Sequence, residues 1–454
     1  MLLHSAEVKL GIKNKTPRIW LDNALKLTKS NFISGSRYVM SIENKKLILQ
    51  ITENGNRLVS RKIKNERTLP IIDINTVQLL DAFANTSIGG MLCVNYYTDT
   101  IIITLTPLNA AVAAREDAFY TKLSLGQSIS AVSLFTGSGF LDAAIKTGFN
   151  KCGINLNTIF ANEINEQYLD NGLLNNPALK QIKTSVQSSI EVLNYYDLPT
   201  ADLVIAGLPC VGFSQTGKTK NKIRHEFQHN TAGHLFVFML SAIMRVNPAM
   251  VILENVPEAM QSDTYTIIKK VLQSNGYTVQ ELLLDSRMFG ALEQRKRMVM
   301  VAASRNVSID ILQLKEIGLP NSSVKDILDD GKLDSFNWSE MPGLKNKQER
   351  DILKGNGFRL HTVQKDENRV STLGKGYFKN RSNESKLVHP EDSNLLRLFT
   401  ASEHARIKGF APSMVDGLSN TKAHEVLGNG VVSHGFIALG ALLAAQLKNN
   451  NGIR

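Results

Sequence analysis

Ile129-Ser130-Ala131-Val132-Ser133-Leu134-Phe135-Thr136-Gly137-Ser138-Gly139-Phe140-Leu141-Asp142 reads as an apolar strand, a glycine turn and the opening of a helix. Ala143-Ala144-Ile145 continues with helical spacing. Gly137 and Gly139 let the backbone come close to a ligand, and the helix that follows offers its positive N-terminal end. Many α/β turns use glycine for geometry alone, so the turn needs company. About twenty residues further on, Thr158-Ile159-Phe160-Ala161 leads to Glu163, where nucleotide-binding folds of this type place a carboxylate on ribose hydroxyls. The pair predicts an adenosine-containing cofactor.

A second strand, Ala201-Asp202-Leu203-Val204-Ile205-Ala206, runs into Gly207-Leu208-Pro209-Cys210-Val211-Gly212-Phe213-Ser214. Cys210 would then project from a strand's carboxyl end into the crevice where open α/β sheets bind ligands. That placement suits a nucleophile, although a small buried cysteine is the commoner fate of such a residue. A third strand, Val251-Ile252-Leu253-Glu254-Asn255-Val256, ends in a carboxylate, and Glu293-Gln294-Arg295-Lys296-Arg297 enters a fourth. Singly, each of these charges reads as a solvated strand end.

Together, and in this order, these elements resemble the DNA cytosine-5 methyltransferases. The likeness covers about residues 128 to 445 and includes Leu-Phe-x-Gly-x-Gly, Pro-Cys-x-Gly-Phe-Ser, Glu-Asn-Val, Arg-x-Arg and Gly428-Asn429-Gly430-Val431. It implies S-adenosyl-L-methionine as cofactor, held by Phe135, Gly137, Gly139, Glu163, Asn429 and Gly430. It implies that Cys210 adds to carbon 6 of cytosine, because carbon 5 is too weak a nucleophile to take a methyl group unaided. Glu254 would supply a proton at N3, which needs a carboxyl pKa raised by burial. Arg295 and Arg297 would bind the charge developing at O2 and steady Cys210, with the family pattern favouring Arg297 for O2. A thiolate cannot reach a stacked, paired cytosine, so the target base must be flipped out. The polar, basic segment 211–233, with Ser214 and Lys218, reads as a loop that closes over the DNA backbone. The chain departs from the family pattern at Glu293, where glutamine is common, at Ser188-Ser189-Ile190 in place of Gly-Asp-Ile, at Ile164 and at Val432.

Composition fits this reading. Among 454 residues, 52 Lys and Arg against 41 Asp and Glu leave a net charge of +11, which favours a polyanionic partner such as double-stranded DNA. Three cysteines, Cys93, Cys152 and Cys210, with no Cys-x-x-Cys spacing, argue for a reducing compartment and against disulfides or a structural metal. No apolar run has the length of a membrane span and the N-terminus lacks a signal pattern, which predicts a cytoplasmic, nucleoid-associated protein in a prokaryotic, phage or plasmid setting. A cognate restriction endonuclease is compatible with the resemblance and not required by it.

The expected fold class is α/β, a Rossmann-like S-adenosylmethionine-dependent methyltransferase sheet with a small target-recognition domain and an N-terminal β-rich module. Residues 1–122 form the module, with strands at Arg18–Leu21, Tyr38–Ile42, Lys46–Ile51 and Thr100–Leu105. Residues 1–120 hold 15 Lys and Arg against 10 Asp and Glu, so this piece is either a DNA-binding or dimerising module or a scaffold extension. Residues 123–305 form the catalytic domain, completed by 401–450, and 306–400 the target-recognition domain. Within 341–381 ten Lys and Arg face four acids, a balance suited to phosphate contacts. Arg359, Arg369, Lys375, Tyr377 and Arg381 are the candidate DNA contacts. A tRNA cytosine-5 methyltransferase would share the thiol and carboxyl, and a DNA-binding protein with a vestigial enzyme domain is the reading from another class.

Overall fold

The computed structural model of the chain describes residues 1–64, 66–83, 88–209, 233–356, 359–381 and 383–451. These divide into two compact units, Met1–Ala114 and Arg115–Arg454.

In the first unit, strands β1 (Leu2–Lys9), β2 (Gly11–Lys13), β3 (Thr16–Leu21), β4 (Arg37–Glu43), β5 (Lys46–Ile51), β6 (Arg57–Leu58), β7 (Ser60–Lys64), β8 (Arg67–Asn75), β9 (Met91–Tyr97) and β10 (Thr100–Leu105) build two antiparallel sheets. Their orders are β1-β9-β10-β5-β4-β6 and β2-β3-β8-β7. Short helices α1 (Ala24–Lys29) and α2 (Gln78–Ala82) punctuate them in sequence. Strict alternation sets the buried face: Leu92, Val94 and Tyr96 of β9 join Ile101 and Ile103 of β10 and Leu47 and Leu49 of β5 in one core. All four segments read as strands from sequence are strands. The boundary between the units falls inside α3 (Pro107–Ser124), which runs unbroken across it.

The second unit is built on β11 (Ile129–Leu134), α4 (Phe140–Lys151), β12 (Leu156–Glu163), α5 (Glu166–Asn175), β13 (Thr184–Gln187), β14 (Leu203–Gly207), α6 (Leu235–Val246), β15 (Met250–Asn255), α7 (Asp263–Ser274), β16 (Tyr277–Asp285) and β17 (Lys296–Ser304). The sheet order is β13-β12-β11-β14-β15-β17-β16, parallel through β15, with β17 antiparallel to both its neighbours. Both faces are covered, so the central strands are continuous apolar runs whose alternate residues enter different cores. Ile129, Leu203, Ile205 and Ile252 pack with Ile145 and Phe149 of α4. Val132, Val204, Val251 and Leu253 pack with Met239 and Ile243 of α6 and Ile268 of α7.

Beyond β17 the chain makes α8 (Pro342–Leu353) and a small sheet of β18 (Thr362–Val363), β19 (Lys386–Val388) and β20 (Leu396–Arg397). Val324, Val363, Val370, Leu373, Tyr377, Leu387 and Phe399 form a local core that also takes in Leu292 and Ile407. The chain then returns through α9 (Ala401–Ile407), α10 (Asn420–Asn429) and α11 (Ser433–Asn451). α11 lies against α4 at glycine: a Cβ on Gly148 would stand 2.3 Å from the Ile437 carbonyl oxygen, and one on Gly440 2.7 Å from that of Ile145. No single helix among the described residues is long and apolar enough to cross a membrane.

Candidate active site

Strand order reverses around β11 and β14, and a cleft of about 1240 Å³ opens there at the carboxyl ends of the strands. One wall is the turn after β11. Gly137 and Gly139 adopt φ of 58° and 74°, values that suit glycine, and Phe135 holds a φ of 54° that a bulky residue rarely takes. Glu163, at the end of β12, accepts the Gly137 N–H at 2.8 Å on one carboxylate oxygen and the Asn165 N–H at 2.9 Å on the other. It thus clamps the glycine turn, and each oxygen keeps acceptor capacity toward the cleft. Asp142, in the first turn of α4, also lines the cleft. Ser133 donates to its Oδ2 at 3.0 Å, while Oδ1 is buried without a hydrogen-bond partner among the described residues. Burial pushes this carboxyl up to about 7, the Ser133 bond pulling the other way. Nothing in the sequence pattern had singled out Asp142 beyond its place at the end of the turn.

The far wall of this pocket comes from the C-terminal part of the chain. A Cβ on Gly430 would lie 2.8 Å from the Phe140 ring, so only glycine lets this segment close on the turn. Asn429 donates to the Tyr168 hydroxyl at 3.2 Å, and that hydroxyl donates to Glu425 at 2.7 Å. Ile164, Ser188 and Ser189, three of the positions that depart from the family pattern, line the same cleft with Ile190.

Of the catalytic candidates, Glu254 and Arg297 meet where β14 and β15 end and β17 begins. Gly207 pairs with Glu254 across the two parallel strands, and a Cβ on Gly207 would lie 3.5 Å from Glu254 Oε2. Chain leaving β14 toward Cys210 therefore starts beside Glu254. Cys210, Ser214 and Lys218 themselves lie outside the described residues. Arg297, at the start of the antiparallel β17, meets Glu254 with Nε 2.9 Å from Oε1, the carboxyl side chain being only 15% exposed. Burial raises the Glu254 pKa, opposed by the positive charges of Arg297 and Arg295.

Arg295 parts company with Arg297. It lines the cleft, yet its guanidinium is almost fully buried, donating to the Gly428 carbonyl at 2.9 Å and to Glu293 at 3.4 Å. Glu293 is fully buried and is gripped by Lys408, also fully buried, at 2.7 and 3.0 Å. It accepts the Leu373 N–H at 3.3 Å as well, and the adjoining backbone pairs with Val370 through Gln294 N–H at 2.8 Å and Leu292 C=O at 2.9 Å. The glutamate that departs from the family pattern thus has a matching cation 115 residues away, in a place sequence reasoning missed. A lone acidic departure was the available signal; its partner was not visible before folding.

Among the candidate DNA contacts, Arg359, Arg369, Lys375 and Arg381 are exposed. Lys375 pairs with Glu425 at 3.1 Å, Arg369 donates to Gln294, and Lys375 and Arg381 line the cleft. Tyr377 does not fit a DNA contact. It is fully buried, its ring makes edge contacts with the stacked pair His404 and His424, and its hydroxyl donates to Ser385 C=O at 2.8 Å and accepts the Phe399 N–H at 2.9 Å. With both hydrogen-bonding roles taken, it organises the small core. No group of three or more His, Cys, Asp or Glu residues with metal-binding geometry occurs among the described residues.

A doubly wound sheet, a glycine turn clamped by a carboxylate and a partly buried Glu–Arg pair at the strand ends define an α/β enzyme of the Rossmann-like methyltransferase class. Comparison with known proteins carries this further. The C-5 cytosine-specific DNA methylase family matches residues 129–441. The Type II methyltransferase M1.ScrFI of Lactococcus lactis subsp. cremoris is 26% identical over 314 residues, 66% of this chain and 74% of its own. M.NlaX of Neisseria lactamica is 26% identical over 305 residues, 66% and 91% of the two chains. In fold, the Entamoeba histolytica methyltransferase EhMeth aligns with a TM-score of 0.56 at 21% identity, over 70% of this chain and 98% of that one. The S. pombe Dnmt2 methyltransferase aligns with a TM-score of 0.54 at 20% identity, over 69% and 98%. The chain belongs to the C-5 cytosine-specific DNA methylase family and is a DNA cytosine-5-methyltransferase.

Proposed function

We propose that the protein transfers a methyl group from S-adenosyl-L-methionine to carbon 5 of a flipped cytosine in a specific DNA sequence, through a covalent Cys210 adduct. The observation that carries this reading is the partly buried Glu254–Arg297 pair beside the strand end that leads to Cys210. The Cys210 thiolate forms a bond to carbon 6, and the electron pair displaced from the 5,6 double bond moves toward N3, where protonated Glu254 donates its proton. Arg297 holds Glu254 in place and faces the charge gathering on the base. S-adenosylmethionine, when bound, supplies the electrophilic methyl group. The proton on carbon 5 then leaves to a base, water being sufficient, Cys210 is expelled as thiolate, and N3 returns its proton to Glu254.

The cofactor pocket suits that group. The Gly137–Gly139 turn and Gly430 leave backbone room, Glu163 has spare acceptor capacity for hydroxyls, and the unpartnered oxygen of Asp142 suits a cation. Glu163→Ala should weaken cofactor affinity about 10- to 100-fold, the worth of hydrogen bonds to a charged group. Isothermal titration with S-adenosylmethionine measures it; unchanged affinity would remove Glu163 from the pocket. The exposed cations Arg359, Arg369, Lys375 and Arg381, with Ser214 and Lys218, are assigned to the DNA, and the region 306–400 to target recognition. A partner restriction endonuclease fits this activity without being needed for it.

Bisulfite sequencing of DNA and tRNA from a host free of cytosine-5 methylation tests the whole reading. Expression of the protein should protect cytosines in one short recurring DNA motif, and Cys210→Ala should protect none. Protection confined to tRNA would move the substrate to RNA, and protection by Cys210→Ala would remove the covalent step.

A further inference from the structure

The first unit carries a feature that its own core does not use. All five residues of β7 are exposed, and so are Arg67 and Thr68 at the start of β8. β7 is the terminal strand of its sheet and among the described residues pairs only with β8, in the register Lys62↔Leu69, Ile63↔Thr68, Lys64↔Arg67. The outer part of this hairpin is therefore a two-stranded ribbon open to solvent on both faces. Its side chains gain nothing from packing, and Ile63 near its tip is 73% exposed.

What occupies those positions is cationic. Residues 57–67 hold Arg57, Arg61, Lys62, Lys64 and Arg67 against the single acid Glu66. Side chains alternate across a strand, so Lys62, Lys64 and Arg67 share one face and Arg61 takes the other. Lys64 stands directly opposite Arg67, and like charges so placed destabilise a ladder. Arg61, Lys62, Lys64 and Arg67 have no side-chain hydrogen bond or ion pair among the described residues. Lysine on an edge strand is a common guard against edge-to-edge pairing. That purpose does not call for Arg67 on the inner strand or for cations on both faces. A polyanion would satisfy all of them, and a two-stranded ribbon has the width that the major groove of B-DNA admits.

We propose that the β7–β8 ribbon is a second DNA-contacting surface, docking on duplex DNA with Lys62, Lys64 and Arg67 against backbone phosphates. The choice of duplex DNA as the polyanion rests on the substrate proposed above; the ribbon's cationic design does not. Binding of the full chain to a fluorescent duplex, measured by anisotropy from about 50 to 200 mM salt, tests it without any turnover. For K62Q/K64Q/R67Q the slope of log affinity against log salt should shallow by about 2 to 3, and affinity near 0.1 M salt should fall at least about tenfold. K29Q/K45Q/K46Q removes the same charge elsewhere in the unit and should bind like the wild type. S-adenosylmethionine affinity, read by titration, should be unchanged in both variants, which reports that the second unit is intact. Wild-type slope and affinity in K62Q/K64Q/R67Q would overturn the proposal, as would self-association of that variant with DNA affinity unchanged, the mark of an edge guard. Equal losses in the two variants would overturn it too, by showing a general charge effect. Absent methylation in the bisulfite experiment with normal ribbon-dependent DNA binding would sink the activity and leave the ribbon standing.

Discussion

Glu254→Gln should lower the single-turnover rate of methyl transfer by about 10²- to 10⁴-fold, the range of a lost general acid. Glutamine keeps the size of the side chain and a hydrogen bond to Arg297, but carries no proton to deliver at N3. Burial among the ends of β14, β15 and β17 raises the Glu254 pKa, so the wild-type rate should decline as pH rises through that raised value. The residual rate of the variant should lack this decline. Stability should move the opposite way from activity. A carboxyl whose folded pKa lies above its unfolded value stabilises the fold fully below the unfolded pKa, and that contribution is lost as pH climbs through the folded one. The neutral glutamine escapes this loss, so at pH values above the folded pKa the variant should unfold no more readily than the wild type. A variant that turns over at the wild-type rate would exclude Glu254 as the proton donor.

Glu293→Gln should destabilise the second unit by about 3–5 kcal/mol, the cost of leaving buried charge uncompensated. The substitution restores the residue that the family commonly carries, yet here it would strand two buried cations, Lys408 and Arg295. Burial already pushes Lys408 well below the usual lysine range against the pull of Glu293. Lys408→Gln leaves Glu293 with Arg295 and should cost less. The double variant Glu293→Gln/Lys408→Gln should recover most of the loss, because replacing both members of a buried pair is often nearly neutral. Urea unfolding of the four proteins gives the coupling directly; strictly additive effects would show that the two side chains do not depend on each other. The single variants should also weaken cofactor binding, since Glu293 positions Arg295 against the Gly428 carbonyl.

Much of this site could be read before folding because its residues sit at the ends of apolar runs. The strand, glycine turn and helix from Ile129 onward carry their own local signals, and Glu254 closes a stretch of four buried apolar residues. What could not be read is which ends meet. Glu254 finds Arg297 only because β17 returns antiparallel beside β15, an inversion that no periodicity announces. Arg295 and Arg297 are two residues apart and looked alike, yet one faces Glu254 and the other Glu293 and Gly428. Tyr377 sits among glycines and lysines that suggest exposure; His404 and His424, from helices further along the chain, pack against its ring. Long-range pairing decides each of these cases.

The glycine contact between α4 and α11 sets a condition on when this enzyme can exist. α4 belongs to the cofactor wall, but the helix that covers it is made about 290 residues later, which at roughly 5–20 residues per second is on the order of 15–60 s of synthesis. Until then Ile145 and Phe149 lack Leu439 and Leu443, and Gly430 has not arrived to close on Phe140. A nascent chain that already carries Cys210, Glu254 and both arginines therefore has no finished cofactor pocket. On the proposed function, methyl transfer should begin only once α11 has been made, and a product truncated before it should be inactive.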